Sequence, residues 1–305
     1  MAARGPLAAA AVLVAAVVGF TVAGLTAVPV LPTTAQGPPG VAAAPGADAP
    51  GRTDSPDGTG VTGAQGVGPR EHYLALGDSL AQGFSPSGDV RAAYPYQHAA
   101  GVPGTRLTVL ACAGETTVTF VSGRCPYPQT AAVPRQGSQL SAALAFLAAH
   151  PGQVSPVTVH LGANDLFAVT GGCDVSPGAP AALDAYETAM ASVLSQLSDA
   201  LAGTGDLVVL SPYDPYPASR AGCPDGPASA ALFEEADRRL AAVAARQGVP
   251  VVSGQRVFAG AAPDGAPRVC TYTFMCPTGT ARPDVHPTRE GHAALAGALQ
   301  EVLGY

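Results

Sequence analysis

The chain has 305 residues, of which 47% are hydrophobic and 12% charged, and its formal net charge is -7. All 15 basic residues are Arg, with no Lys and no basic run. That balance argues against a nucleic-acid partner, which requires a basic surface, and against an electrostatic membrane patch.

The N-terminus reads as a targeting segment. Arg4 is the only charge before an apolar run from Leu7 to Val30. A short positive region followed by an apolar stretch is the secretory pattern, and Ala35 closes a small-residue segment suited to cleavage. The run is also long enough to cross a bilayer, so residues 1–35 are a signal peptide or a membrane anchor. The expected location is extracellular, or tethered to the outer face of the cytoplasmic membrane. Residues 36–70 are rich in Gly, Pro, Ala, Asp and Thr and too poor in large apolar side chains to offset their ordering entropy. They read as a linker, leaving residues 71–305 as one folded domain.

Within that domain, five short apolar runs suit strands buried on both faces of a parallel sheet. They are Tyr73–Leu76, Leu107–Ala111, Val157–Leu161, Leu207–Leu210 and Val249–Val252. Between them lie amphipathic helical patterns over Gln139–Ala149, Pro180–Leu201 and Leu232–Arg246, and Thr288 can cap a last helix carrying Leu295 and Leu299. In the longest, Leu183, Tyr186, Met190, Val193, Leu194, Leu197 and Leu201 share one face. Strands alternating with helices imply βαβ units, with helices on both faces of the sheet.

Six cysteines fit an oxidising compartment. They allow fifteen pairings. Pairing sequence neighbours is the simplest arrangement: Cys112 with Cys125, Cys173 with Cys223, and Cys270 with Cys276. A zinc site is disfavoured because neither CxxC nor HxxxH spacing occurs.

Functional residues in parallel α/β sheets sit just past the carboxyl ends of strands. Four pairs occupy that position: Asp78-Ser79, Ala113-Gly114, Asn164-Asp165 and Tyr213-Asp214. Ser79 can project from the turn after the first strand, where Gly77 relieves crowding. Gly114 leaves its own N–H open to a ligand, and the Asn164 amide can stabilise an oxyanion. Asp78 and Asp165 read as braces for their turns. His286, in Pro283-Asp284-Val285-His286-Pro287, supplies a base of near-neutral pKa for a hydroxyl nucleophile. Taken singly, each has a structural explanation: a helix cap, a loop glycine, an Asx turn, a surface histidine.

Together, Ser79 in Gly77-Asp78-Ser79-Leu80, then Gly114, Asn164 in Gly162-Ala163-Asn164-Asp165, and His286 resemble the GDSL/SGNH hydrolase family, whose four signature blocks carry Ser, Gly, Asn and His in that order. The Cys270–Cys276 segment is similar to secreted actinobacterial members. The resemblance implies a three-layer, flavodoxin-like α/β/α domain of about five parallel strands that hydrolyses carboxylic esters. It implies Ser79 as nucleophile, His286 as base, and an oxyanion hole from Ser79, Gly114 and Asn164, with no cofactor. One departure stands out. The family usually has Asp three residues before the His, where this chain has Pro283. Either Asp284 or a backbone carbonyl must then orient His286. Ala81 breaks the GxSxG pattern, which argues against the α/β-hydrolase fold.

The remaining histidines are expected to be non-catalytic: His160 in a core strand, His72 before the first strand, His292 on the last helix, and His98 and His150 at the surface or at helix ends. The expected partner is a small-molecule or lipid ester, acted on by a monomer. An esterase of polysaccharide acetyl groups and a non-catalytic binding module are the competing readings. The loops at Tyr213–Cys223 and Phe167–Pro180 would form the walls that decide the substrate.

Overall fold

A computed structural model describes residues 66–131, 137–171, 174–216, 228–276 and 282–305. The expected leader, most of the linker, the Cys173–Cys223 pairing and much of the Tyr213–Cys223 loop lie outside the described residues. No helix among the described residues is long and apolar enough to cross a membrane.

The described elements, in chain order, are β1 (His72–Gly77), α1 (Ser79–Gln82), α2 (Tyr94–Gly101), β2 (Arg106–Val109), α3 (Thr117–Ser122), α4 (Gln139–Ala149), β3 (Val154–His160), α5 (Ala163–Phe167), β4 (Thr170–Gly171), β5 (Asp174–Val175), α6 (Ala179–Leu201), β6 (Leu207–Leu210), α7 (Ser229–Arg246), β7 (Val251–Val252), α8 (Gly254–Phe258), α9 (Arg268–Tyr272) and α10 (Arg289–Leu303). The main sheet has the order β2-β1-β3-β6-β7 and is parallel throughout. This is the flavodoxin-like order, whose topological switch point lies beside β1.

The period of two along each strand divides the core. Leu74 and Leu76 of β1 join Val157 and Val159 of β3 and Val209 of β6 under α4, α6 and α7. Tyr73 and Ala75 join Val208, Leu210 and Val252 on the other face, with Leu295 and Leu299 of α10. All seven residues expected on the inner face of α6 are buried. Ser138 caps α4 and Thr288 caps α10, each accepting a backbone N–H of the first turn.

Two expected strands differ. The run Leu107–Ala111 gives a strand over Arg106–Val109, and Val249–Val252 gives one over Val251–Val252. Both are edge strands, and only Val109 in the first and Val252 in the second are buried, short of the burial on both faces that was expected. Across β1 and β3 the register shifts between His72 and Leu74, opposite Pro156, which has no N–H for the ladder.

Candidate active site

The site assembles at the carboxyl edge of the sheet. β1 ends at Gly77 with φ +134°, and a Cβ there would lie 2.0 Å from the His160 carbonyl oxygen of β3. Only glycine permits that approach. Asp78 then caps α1, its Oδ1 accepting the Leu80 N–H at 3.0 Å. Burial, with the Asp165 and Glu115 charges adding to it, pushes the Asp78 carboxyl up to about 7. Ser79 is thereby fixed as the first residue of α1, at the wall of a cleft of about 360 Å³.

His286 arrives from a clamped loop. The Phe274 N–H donates to the His286 carbonyl, and the Asp284 N–H donates to the Phe274 carbonyl, both at 3.0 Å. The Cys270–Cys276 disulfide closes the turn that carries Phe274. Tyr213, at the end of β6, donates its O–H to the Val285 carbonyl at 2.5 Å. In the resulting geometry His286 Nε2 lies 2.9 Å from Ser79 Oγ, and Nδ1 lies 2.6 Å from Asp284 Oδ1. The same oxygen accepts the His286 backbone N–H at 2.9 Å. These partners assign the proton to Nδ1 and leave Nε2 as acceptor for the serine hydroxyl. The hydrogen bond from His286 holds the Asp284 carboxyl below its ordinary value.

Gly114 adopts φ +75°, and a Cβ there would meet the Tyr127 ring at 2.6 Å. The Cys112–Cys125 disulfide ties the Tyr127 segment to the end of β2. The backbone N–H groups of Ser79 and Gly114 have no acceptor among the described residues. Asn164, in the first turn of α5, donates one amide hydrogen to the Glu115 carbonyl at 2.9 Å, and its second amide hydrogen has no acceptor among the described residues. Asp165 accepts the Thr117 N–H and its hydroxyl, the latter at 2.6 Å, and so fastens α5 to α3. Ser79, Gly114, Asn164 and His286 all line the same cleft.

Two buried glutamines, whose bridging role the sequence does not show, complete the frame. Gln139 accepts the Gly77 N–H at 2.6 Å and donates to the Gly77 carbonyl at 2.9 Å and to Glu115 Oε2 at 2.8 Å. Gln82 accepts the Ala113 N–H at 2.9 Å and donates to the Thr130 carbonyl. They join the Ser79 turn to the Gly114 turn, and nothing in their local sequence marks them.

The model of the GDSL-like lipase/acylhydrolase family matches residues 75–294. The chain belongs to this family. Among solved structures, the extracellular lipase of Streptomyces rimosus shares the fold at 21% identity and a TM-score of 0.51, covering 76% of this chain and 99% of that one. Phospholipase A1 of Streptomyces albidoflavus does so at 20% identity and a TM-score of 0.54, with the same coverages. No curated protein matches the chain by sequence.

In this GDSL-family chain Pro283 stands where a family aspartate is usual, and the carboxylate in contact with the imidazole belongs to Asp284. All four strand-end positions converge here, the fourth through Tyr213. His98 stands in the last turn of α2, a helix-end position as expected, but it is 1% exposed and not at the surface, its ring 5.4 Å from Tyr73, because α2 packs against the sheet beside β1. His72 lies within β1 rather than before it. His160 and His292 are buried beside Tyr94, and none of these rings reaches Ser79.

Proposed function

We propose that this chain hydrolyses carboxylic esters through an acyl-enzyme on Ser79. His286 takes the serine proton through Nε2 as Oγ attacks the ester carbonyl, while Asp284 holds the imidazole by Nδ1–H and balances the imidazolium. The tetrahedral oxyanion is received by the Ser79 and Gly114 N–H groups and the Asn164 amide, donors fixed before the charge develops. His286 then protonates the departing alcohol. It next activates water to release the acid and restore the serine. The observation that carries this reading is the continuous contact from Asp284 through His286 to Ser79, beside backbone N–H groups with no acceptor among the described residues.

A lipophilic ester suits the cleft better than an acetylated sugar. Phe84, Tyr127, Phe167 and Val285 line it with the catalytic groups. A carbohydrate subsite would need more paired polar groups to replace the sugar's water. The two described disulfides and the expected leader support export to an oxidising compartment. Under this reading kcat/KM for p-nitrophenyl butyrate exceeds that for an acetylated xylo-oligosaccharide by about tenfold or more. A preference for the sugar ester would overturn the substrate class.

A further inference from the structure

A second groove, of about 410 Å³, lies beside the cleft and is formed by Gln82, Gly83, Phe84, Val90 and Thr130. Phe84 and Thr130 line both spaces, so the two adjoin. The groove is a built feature. Gly83 at φ +90° closes α1 against the next turn, where a Cβ would stand 2.7 Å from the Val90 carbonyl. Asp89 beside Val90 pairs with Arg289 of α10, and Gln82 is tied to the Thr130 carbonyl. Yet Phe84 and Val90 remain 43% and 44% exposed, apolar side chains facing water at the groove mouth. An apolar groove that is held open beside a reaction centre calls for a ligand.

Direction decides which part of an ester enters it. The leaving oxygen must sit by His286 Nε2 to receive the proton, whereas the carbonyl oxygen turns toward Gly114 and Asn164. The Phe84 ring lies against the His286 ring, with centroids 4.9 Å apart. A chain carried by the leaving oxygen therefore starts beside Phe84. We infer that the groove past Phe84 and Val90 binds the alcohol portion of the substrate, so that the chain acts on esters of apolar alcohols. This rests on the hydrolase reading above and extends it to the leaving group.

Two ester series test it: acetates of alcohols from ethyl to decyl, and ethyl esters of acids from acetic to decanoic. For the wild type, kcat/KM should climb with alcohol length by about tenfold or more. Val90→Arg should cut the decyl-to-ethyl acetate ratio about tenfold and leave the corresponding ratio in the acid series in place. Val90→Leu, which keeps the groove apolar, should retain the wild-type ratio. A fall confined to the acid series would make this the acyl groove and overturn the assignment, as would ratios that no variant moves. If the wild type turns over esters and the ratio stays fixed, this inference fails alone. If it turns over no ester, the hydrolase reading fails and takes this inference with it.

Discussion

Asp284→Asn should lower kcat about 10²- to 10³-fold, with KM and melting temperature nearly unchanged. Asn can still accept the His286 backbone N–H and hold the turn. It cannot fix the Nδ1–H tautomer or balance an imidazolium, and in a fully buried triad that loss is worth about 10⁴-fold. The Asp284 side chain is 31% exposed, so water can replace part of its effect, which places the expected loss below that limit. Because its carboxyl is held low by His286, Asp284 stays ionised through the neutral range. Its contribution disappears only as pH falls through that depressed value. A loss under about threefold would mean that Asp284 is a turn cap and that another group orients the imidazole. Stopped assays of aryl-ester hydrolysis on the two proteins decide this.

Acidification from pH 7 to 4.5 should destabilise the domain, because buried histidines resist protonation. Burial lowers His98 and His160 from 6.5 to about 4 and His292 to about 3. Between pH 6.5 and 4 the unfolded chain takes up three protons that the folded chain does not, so stability falls as pH falls. Asp78 acts in the opposite sense. Folded, it keeps its proton to about 7, whereas unfolded it ionises near 3.8, so it adds stability on acidification over the same range. Each such group is worth about 1.4 kcal/mol per pH unit. Three histidines outweigh one aspartate, and the melting temperature should drop on the order of 10 °C between pH 7 and 4.5. His98→Phe keeps a ring against Tyr73 and Tyr305 and should flatten that slope by about half. A melting temperature that is level across this range would contradict the account.

The legible parts of the molecule were those with a period or a spacing. The inner face of α6, the central strands and the caps Ser138 and Thr288 follow from local pattern and hydrogen-bonding chemistry. The four strand ends follow from a topological rule, and Ser79, Gly114 and Asn164 follow from those ends, whereas His286 follows from the Asp-Val-His-Pro block ahead of the last helix. The edge strands were over-extended because an apolar run does not show how many neighbours it will pair with. Gln82, Gln139 and Glu115 are invisible as a frame, since the glutamines bond backbone groups of turns remote in sequence and Glu115 bonds the Gln139 side chain. The burial of His98 escapes the sequence for a related reason: α2 is short, and its burial is set by packing against the sheet and not by its own periodicity. The Asp284 contact could be posed as an alternative from sequence, but choosing it required the turn geometry between Pro283 and His286.

The most direct test is peptide mapping after reaction with one equivalent of an alkyl fluorophosphonate. The account predicts a phosphonyl adduct on the peptide containing Ser79, with ester hydrolysis lost in step, and no adduct in His286→Ala over the same time. Hydrolysis that survives full labelling of Ser79, or an inactivating adduct on a different serine, would contradict it.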